Sequence, residues 1–446
     1  MATESLHGPN NPESGRTRTI FDPATGEAVG EAPVHGVEDL DRAVEAAAAA
    51  QPGWAALGHD ARSAALAQAA DAVDRSAEEL SRLLSREQGK PLNGLNARFE
   101  VGACSAWLLH YRPIGVVGAI GPWNWPMMIA VWQIAPSLRM GNAVVVKPSE
   151  YTPLSVIALV DVLNQELPEG VLTAVSGGPE VGARMAEHPA IGKIMFTGST
   201  ATGKAIIKSS AGTVKRLTLE LGGNDAGIVL PDADPKAIAE DLFWGAFINS
   251  GQTCAALKRL YVHDDIYEDL CEALTSVAAA ARMGVGLDEE SVLGPLQNKQ
   301  QFDIVSRLVE AARDAGARVL LGGNPDPDQP GYFYPTTLVA DIDNDNPLVA
   351  EEQFGPVLPI IRYRTVEEAV KMANALEVGL GASVWSANPE QARKVAANIQ
   401  AGTVWINSHG AVHPMVPFGG MKQSGYGLEF GVEGLKALGV PQVING

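Results

Sequence analysis

One cysteine in the sequence stands where a thiol could do chemistry. Cys254 follows the turn Gly251-Gln252-Thr253, directly after an apolar stretch that is typical of a helix. A thiol exposed on such a turn can attack an electrophilic carbon, and neighbouring backbone N–H groups would stabilise its thiolate. The other interpretation is a buried small hydrophobic residue, which is the usual role of a free cysteine. Because local cysteine signatures transfer poorly between families, this stretch alone leaves both interpretations open.

Two other side chains could assist a nucleophile. Glu220 lies among leucines beside a double glycine, and burial there would raise its pKa toward the range of a general base. Asn124 lies in a tight turn between Trp123 and Trp125, where its amide could donate to a developing oxyanion. Each also has an ordinary structural interpretation, as a glutamate at the end of a helix or strand and as a turn asparagine.

Two further segments could hold a phosphate or a ribose. The loop 197–204 is a glycine-spaced turn between a strand and a helix, and such a turn can present backbone N–H groups to a pyrophosphate. It lacks the full G-x-G-x-x-G pattern, so a purely structural turn is the alternative. Lys147-Pro148-Ser149-Glu150 follows a buried strand, at the sheet edge where open α/β sheets bind ligands. A solvated surface pair is the alternative there.

The elements that must position these residues alternate between strands and helices from residue 114 onward. Strands separated by single helices form right-handed βαβ units, which predicts a doubly wound parallel sheet of Rossmann type. A second α/β series follows residue 220, so we place the main boundary at 220–224. Three helices are expected before residue 114, one of them continuous from Leu66 to Leu84 and the third over 97–109. The remaining predicted elements are strands 115–120, 143–146, 171–175, 193–196, 226–230, 259–262, 319–321, 357–363, 382–385 and 403–407, with helices 127–138, 153–163, 181–187, 235–247, 267–283 and 298–315.

Composition excludes several classes of protein. The 446 residues are 46% hydrophobic, which is typical of a globular chain with a large core. The net charge of −19, without a cluster of Lys or Arg, argues against nucleic acid or an anionic membrane as a partner. Three cysteines provide no disulfide framework. No signal peptide or membrane-spanning run is expected, so we predict a cytoplasmic protein.

Taken together, the motifs resemble those of the aldehyde dehydrogenase superfamily over nearly the whole chain. Seven of them occur in the order that is usual in that family. They are Gly121-Pro122-Trp123-Asn124-Trp125-Pro126, Lys147-Pro148-Ser149-Glu150, Phe196-Thr197-Gly198-Ser199, Leu219-Glu220-Leu221-Gly222-Gly223-Asn224, Gly251-Gln252-Thr253-Cys254, Glu352-Gln353-Phe354-Gly355-Pro356 and Pro417-Phe418-Gly419-Gly420. The resemblance implies an α/β fold with a Rossmann-type cofactor domain and a second α/β catalytic domain.

The resemblance also implies roles for the reacting groups. Cys254 would attack the aldehyde carbonyl, and the Asn124 amide and the Cys254 backbone N–H would hold the oxyanion. Hydride transfer to the nicotinamide would leave a thioester on Cys254, which water activated by Glu220 would hydrolyse.

Cofactor and substrate residues are implied in the same way. NAD is favoured over NADP because a Glu150 carboxylate beside the 2′ position would repel a phosphate. The cofactor set is Lys147, Glu150, Gly198, Ser199, Glu352, Phe354 and Trp123. The substrate channel is mostly apolar, which predicts an uncharged aliphatic or aromatic aldehyde; its residues are Trp125, Ile129, Trp132, Thr253, Ala255, Val412 and Phe418. No metal is expected.

One segment departs from the family pattern. Between Trp107 and Arg112 the family normally has a longer insertion with a β-hairpin that reaches a neighbouring subunit, and here it is missing near 108–112. The tail 439–446 would ordinarily add a strand to that oligomerisation sheet, and it is expected to have an unpaired edge or no ordered partner. We therefore expect a dimer or monomer rather than a tetramer. The expected domains are 1–220 for NAD binding, 221–430 for catalysis and a tail of 431–446.

Two other functions are open to the same fold. A CoA-acylating enzyme would pass the acyl group to CoA, but such chemistry does not need the water-activating base Glu220. A catalytically silent binding or structural protein is the second alternative, because fold alone does not determine function. The presence of Cys254, Glu220 and Asn124 argues against it.

Overall fold

Two large β-sheets form the frame of the protein. A computed structural model describes residues 16–94, 96–102 and 112–441. Within these ranges a six-stranded sheet has the order β18-β8-β7-β4-β5-β6 and a seven-stranded sheet has the order β11-β12-β13-β10-β9-β15-β16. Helices cover both sheets, which confirms the predicted α/β class. None of the helices in the described ranges combines the length and apolarity needed to cross a bilayer.

The strands and helices have the following bounds. The strands are β1 (Thr17–Phe21), β2 (Ala28–Pro33), β3 (Arg112–Pro113), β4 (Val116–Ile120), β5 (Ala143–Lys147), β6 (Leu172–Ala174), β7 (Ile191–Thr197), β8 (Arg216–Glu220), β9 (Asp225–Val229), β10 (Leu257–His263), β11 (Arg318–Leu321), β12 (Thr337–Ala340), β13 (Val357–Tyr363), β14 (Val378–Gly379), β15 (Gly381–Trp385), β16 (Thr403–Ile406), β17 (Met421–Lys422), β18 (Gly425–Tyr426) and β19 (Gly439–Val440). The α-helices are α1 (Val37–Ala56), α2 (Gly58–Arg75), α3 (Ala77–Gln88), α4 (Ala97–Gly102), α5 (Pro126–Arg139), α6 (Leu154–Leu163), α7 (Pro179–Glu187), α8 (Thr200–Ser210), α9 (Pro235–Phe247), α10 (Tyr267–Ala280), α11 (Lys299–Asp314), α12 (Pro347–Ala350), α13 (Val366–Ala373), α14 (Pro389–Ala396) and α15 (Gly431–Lys436).

The first sheet is buried on both faces. Strands β8, β7, β4, β5 and β6 run parallel, and β18 pairs antiparallel with β8 at the edge. Along β5, Val144 and Val146 belong to one apolar cluster and Ala143 and Val145 to another. This alternation explains the continuous apolar run, because a central parallel strand is covered on both sides.

The chain passes from one sheet to the other between Glu220 and Asp225. Strand β8 ends at Glu220 in the first sheet, and β9 begins at Asp225 in the second sheet. The second sheet is parallel except for its edge strand β11. Strand β18, although late in the sequence, returns to pair with Glu220 through Gly425. This strand pairing therefore holds Glu220 at the point where the chain passes from the first sheet to the second.

Parts of the predicted secondary structure differ from the structure. The apolar pattern from Leu66 to Leu84 predicts one helix, but Ser76 adopts φ −100° and ψ 4° and separates α2 from α3. Strand β12 was not predicted. The helix expected over 97–109 is seen as α4, and its remainder lies outside the described residues.

The C-terminal tail has a partner within the chain, so the expectation of no ordered partner is wrong. Gly439 and Val440 pair antiparallel with Pro113 and Arg112, and the two strands form a two-stranded sheet. On its other side β19 has no paired strand within the described ranges. The segment expected to lack the family hairpin, 108–112, lies outside the described residues up to 111.

A buried ion pair ties the loop after α3 to α4. The Lys90 ammonium lies 2.5 Å from the Glu100 carboxylate, and neither side chain is exposed to solvent. Glu100 also accepts a hydrogen bond from the Met128 backbone N–H, and the Lys90 ammonium lies 3.5 Å above the Trp125 ring. Lys90 therefore packs against Trp125, one of the candidate substrate residues.

Replacing Lys90 with Met removes the buried cation from Glu100 and Trp125. Removing one partner of a buried ion pair costs about 3–5 kcal/mol, so we expect a clear fall in Tm by scanning calorimetry. Arg307→Met is the matched control, because its partner Glu351 lies 2.7 Å away on the surface, and such pairs contribute at most about 1 kcal/mol. Equal falls in Tm for the two variants would contradict this prediction.

Candidate active site

The turn that carries Cys254 has an unusual backbone. After α9 ends at Phe247, Asn249 and Ser250 adopt φ values of 51° and 55°, and Gly251 follows with φ 75°. A Cβ atom on Gly251 would overlap the carbonyl oxygen of Gly355, so only glycine fits there. Non-glycine residues with positive φ are costly and are held by surrounding contacts. Surrounding contacts therefore hold this backbone conformation, which sets the orientation of Cys254.

Hydrogen bonds join this turn to the turn 121–126 of the first sheet. The Asn124 Nδ2 donates to the Gln252 carbonyl oxygen over 2.9 Å. Asn249 donates from its Nδ2 to the Asn124 and Gln252 carbonyl oxygens, over 3.0 and 3.2 Å. Trp125 donates from Nε1 to the Thr253 hydroxyl over 2.9 Å. The structure thus brings Asn124 to the cysteine turn, through an asparagine at 249 that sequence reasoning missed.

The thiol of Cys254 is half-buried in this structure. Burial raises its pKa to about 12, the Lys258 ammonium opposes that rise, and carboxylates of Asp225, Glu220 and Glu352 add to it. The expected stabilisation of the thiolate by backbone N–H groups stays a prediction. A thiol with a raised pKa needs a base to remove its proton before it can react.

Lys258 is a site residue that sequence reasoning missed. Its ammonium donates to the Cys254 carbonyl oxygen over 2.6 Å and lies 3.2 Å from a Glu352 carboxylate oxygen. It also lies 5.6 Å from the centre of the Phe354 ring. Lys258 belongs to β10, where it stands next to Arg259 in an otherwise largely apolar strand, so the local sequence does not single it out.

Glu220 occupies a buried position at the end of β8. Its backbone oxygen accepts a hydrogen bond from the Gly198 N–H over 3.0 Å, and neither carboxylate oxygen has a hydrogen-bond partner. Burial raises the pKa of Glu220 well above its usual value, and the nearby Glu429 carboxyl raises it further. Gly419 packs closely beside it, because a Cβ atom there would lie 2.7 Å from the Gly427 carbonyl oxygen and 3.3 Å from Glu220 Oε1. Such a carboxyl can accept a proton near neutral pH.

Glu429 is a second buried carboxyl that sequence reasoning did not identify. Its backbone exchanges two hydrogen bonds of 2.9 Å with Phe418. Burial raises the pKa of Glu429 to about 7, and the charge of Lys193 opposes the rise. Glu429 thus belongs to the segment 417–430 that covers the Glu220 side of the site.

The carboxyl ends of the first sheet present the expected cofactor residues. Lys147 at the end of β5 is buried, burial lowers its pKa, and its ammonium donates to the Pro148 carbonyl oxygen over 3.3 Å. Ser199 begins α8 and accepts from the Thr202 N–H, while a Cβ atom on Gly198 would meet the Phe196 ring. A buried ammonium, a helix N-terminus and a glycine without space for a side chain fit a dinucleotide. Glu150 pairs with Arg18 over 2.8 Å.

A second group of expected cofactor residues lies at the cysteine end. The Trp123 and Phe354 rings meet edge to face with centres 5.4 Å apart, and Phe354 has φ 47°. The Glu352 carboxylate approaches Gly222 so closely that a Cβ atom there would lie 2.6 Å from Glu352 Oε2. These contacts bring Phe354 and Glu352 next to Trp123 and Gly222, which follow strands of the first sheet.

The expected substrate residues divide into three groups. Ala255 and Phe418 pack with Cys254 in an apolar cluster that also contains three residues missed in the sequence, namely Leu380, Trp405 and Phe430. The Trp132 ring meets that of Phe430 edge to face at 4.7 Å, and Trp125 reaches Thr253. Ile129 is buried in α5, whereas Val412 is exposed. The thiol is therefore surrounded mainly by apolar and aromatic surface.

Iodoacetamide labelling of Cys254 tests its protonation state. Because the thiolate is the nucleophile, a pKa of about 12 should make alkylation at pH 7.5 at least about tenfold slower than that of an unperturbed thiol. Lys258→Met should slow it by a further factor of about three, since the ammonium lowers the Cys254 pKa. Peptide mass spectrometry measures both rates, with Cys271→Ser to remove labelling of the buried Cys271. Rapid labelling of Cys254 would rule out the proposed thiol state.

Comparison with known proteins agrees with the resemblance noted in the sequence. The model of the aldehyde dehydrogenase family matches residues 10–108 and 101–443. The phenylacetaldehyde dehydrogenase of Pseudomonas fluorescens is 36% identical over 461 residues, covering 96% of this chain and 92% of that protein.

Solved structures agree as well. The aldehyde dehydrogenase AldC of Pseudomonas syringae, a mutant in complex with NAD+ and octanal, superposes with a TM-score of 0.91 at 35% identity, covering 96% of this chain and 93% of the other. An NADP-dependent enzyme of E. coli has a TM-score of 0.92 at 31% identity, covering 96% and 94%. This chain therefore belongs to the aldehyde dehydrogenase family, and it is an NAD(P)-dependent enzyme that oxidises aldehydes.

Proposed function

We propose that this protein oxidises an uncharged apolar or aromatic aldehyde to a carboxylic acid, with NAD as cofactor, Cys254 as nucleophile and Glu220 as base. The observation that carries the proposal is the joining of three groups at one place. The Asn124 amide donates a hydrogen bond to the turn that carries Cys254. The Glu220 carboxylate lies close enough to raise the pKa of the Cys254 thiol. Both oxygens of Glu220 are buried without a hydrogen-bond partner.

The first step forms a bond between the Cys254 sulfur and the aldehyde carbon. Because the thiol is protonated, its proton must leave, and Glu220 is suited to receive it through its raised pKa. One N–H of the Asn124 amide is used on Gln252, so the second N–H is available to the oxyanion, together with the Cys254 backbone N–H. When bound, the dinucleotide supplies the hydride acceptor, and this oxidation leaves a thioester on Cys254.

The second step is hydrolysis of that thioester. Glu220, after passing the thiol proton to solvent, takes a proton from water, and the hydroxyl oxygen attacks the acyl carbon. The C–S bond then breaks, which releases the carboxylic acid and returns Cys254 to the thiolate. A CoA-acylating enzyme would not need such a base, so the unpartnered Glu220 favours hydrolysis over transfer to CoA.

The cofactor would lie along the carboxyl edge of the first sheet. Lys147 and Glu150 would hold the adenosine ribose, Gly198 and Ser199 the pyrophosphate, and Glu352 the nicotinamide ribose. Phe354 and Trp123, whose rings are in contact, would border the nicotinamide. A carboxylate at Glu150 favours the 2′-hydroxyl of NAD over the 2′-phosphate of NADP.

The substrate class follows from the surface around the thiol. The cluster of Cys254 with Ala255, Leu380, Trp405 and Phe418 is apolar. An aldehyde with a second charge would lose its hydration there without gaining a partner. The names of two similar proteins, which mention phenylacetaldehyde and octanal, support the same class.

NADH formation from a panel of aldehydes, with and without CoA, tests this proposal. We expect the highest kcat/KM for uncharged aliphatic or aromatic aldehydes, no requirement for CoA, and no NADH from Cys254→Ala. A charged semialdehyde as the best substrate would contradict the substrate class. A strict CoA requirement would favour the acylating alternative, and no NADH under any condition would favour a silent protein.

Two variants separate the steps within the same assay. Glu220→Gln should retain the acyl-enzyme, visible as a mass increase of the protein, because hydrolysis loses its base. Asn124→Ala should lower kcat by about 10²–10³-fold, the usual cost of one oxyanion donor. In the wild type kcat should rise with pH through a pKa above that of an ordinary glutamate, since burial raises the Glu220 pKa.

We also propose a domain arrangement and an assembly. Residues 1–220 would bind NAD, 221–430 would provide the catalytic turn, and 431–446 would be a remnant of the oligomerisation strand. The pairing of β19 with β3 inside one chain, and the division of the family match near residues 101–108, support the missing hairpin. The catalytic thiol would stay reduced in the cytoplasm.

Light scattering on the purified protein tests the assembly. We expect the mass of one or two chains, because the hairpin that would extend the β19 sheet toward another subunit is missing from the sequence. A stable tetramer at micromolar concentration would contradict this expectation. NADH formation measured on the same sample shows whether the smaller assembly is active.

A further inference from the structure

An arginine from the N-terminal hairpin lies at the place proposed for the adenosine ribose. The Arg18 Nη1 lies 2.8 Å from Glu150 Oε2, and the two side chains are 44% and 32% exposed. Both line a shallow surface depression that is open to solvent, together with Ala32, Val34, Pro153, Ser176 and Gly177. Arg18 was not among the residues expected from the sequence to meet a cofactor.

The position of Arg18 is set by the fold. Its strand β1 pairs with β2, with Arg18 opposite Ala32. The hairpin is held to the sheet edge beyond β6, because the His35 N–H donates to the Ser176 oxygen over 2.7 Å and the Ser176 N–H lies 3.0 Å from His35 Nδ1. The guanidinium therefore starts from a fixed backbone beside Glu150.

The charges around this depression are mixed. Lys147 and Glu150 come from the end of β5 and the residues after it, and Glu180 belongs to the first turn of α7. The Glu180 carboxylate accepts from the N–H of Gly178, at the start of its own helix, over 3.3 Å. The charges of Glu150, Glu180 and Arg18 all act on the buried Lys147 ammonium, so these groups share one neighbourhood.

The chemistry of the pair suits both forms of the dinucleotide. A carboxylate accepts hydrogen bonds from ribose hydroxyls, whereas an arginine near that place accommodates a 2′-phosphate. The guanidinium binds phosphate with two parallel hydrogen bonds, and an exposed ion pair with a carboxylate is weak enough to exchange. We propose that Arg18 is the residue that admits a 2′-phosphate beside Glu150, so that the protein binds NADP as well as NAD. This inference rests on the proposed cofactor site. It predicts a weaker preference for NAD over NADP than Glu150 alone would give.

Calorimetric titration with 5′-AMP and 2′,5′-ADP tests the proposal without turnover. These probes share the adenosine and differ by the 2′-phosphate. For the full-length protein we expect association constants within about tenfold of each other. Arg18→Gln should lower the ratio of the 2′,5′-ADP constant to the 5′-AMP constant by about tenfold, which is typical of losing a charge-assisted hydrogen bond. Glu150→Gln should raise the same ratio, because it removes the repelling charge.

Arg282→Gln is the matched control. Arg282 is an exposed arginine that pairs with Asp288 and Glu290, outside the first sheet, and its loss should leave the ratio unchanged. An unchanged ratio in Arg18→Gln, or an equal fall in Arg282→Gln, would overturn the inference. If 5′-AMP binds but Arg18→Gln leaves the ratio unchanged, only this inference fails. If neither probe binds, the proposed cofactor site fails as well.

Discussion

A small set of buried hydrogen bonds between two turns supports the active site. The turn 121–126 leaves the first sheet, and the turn 248–254 belongs to the second half of the chain. Asn124 and Asn249 connect them through the carbonyl oxygens of Asn124 and Gln252. Each such bond adds only about 1 kcal/mol, but breaking it would leave a buried polar group unpaired at a cost of about 1–3 kcal/mol. The two turns are thus held in register, and the same contacts position Asn124 and Cys254, the proposed oxyanion donor and the proposed nucleophile.

Burial sets the protonation of the groups placed around those turns. Cys254, Glu220 and Glu429 all have raised pKa values because their charged forms lose water. Lys258 opposes this effect for Cys254 while it also bonds the Cys254 carbonyl oxygen. Both Cys254 and Glu220 therefore hold a proton more tightly than in water, and the thiol must lose its proton before it can attack. The two carboxylate oxygens of Glu220 have no hydrogen-bond partner, which lowers the free energy of unfolding. Such costs are common at functional sites.

The opposite end of the proposed cofactor site combines residues that are far apart in sequence. Glu150 follows a central strand, whereas Arg18 comes from an N-terminal hairpin packed at the sheet edge. Their pairing places an arginine from a peripheral hairpin beside a carboxylate that follows a strand of the central sheet. A carboxylate alone would discriminate against phosphate, and a neighbouring guanidinium changes that electrostatic balance.

Much of this arrangement was determined by the sequence alone. Apolar runs such as Val144–Val146 can be satisfied only in a covered parallel strand, and the seven motifs indicated the family and the region of the nucleophile. The break between α2 and α3 at Ser76 was not predicted, because an apolar period can continue through a bend in the backbone. Lys258, Glu429, Asn249 and Arg18 were also missed. Their roles depend on contacts such as Lys258 with Glu352 and Arg18 with Glu150, across 94 and 132 residues. The protonation of Cys254 likewise depends on burial and on charges brought near by folding, so only the tertiary structure decided it.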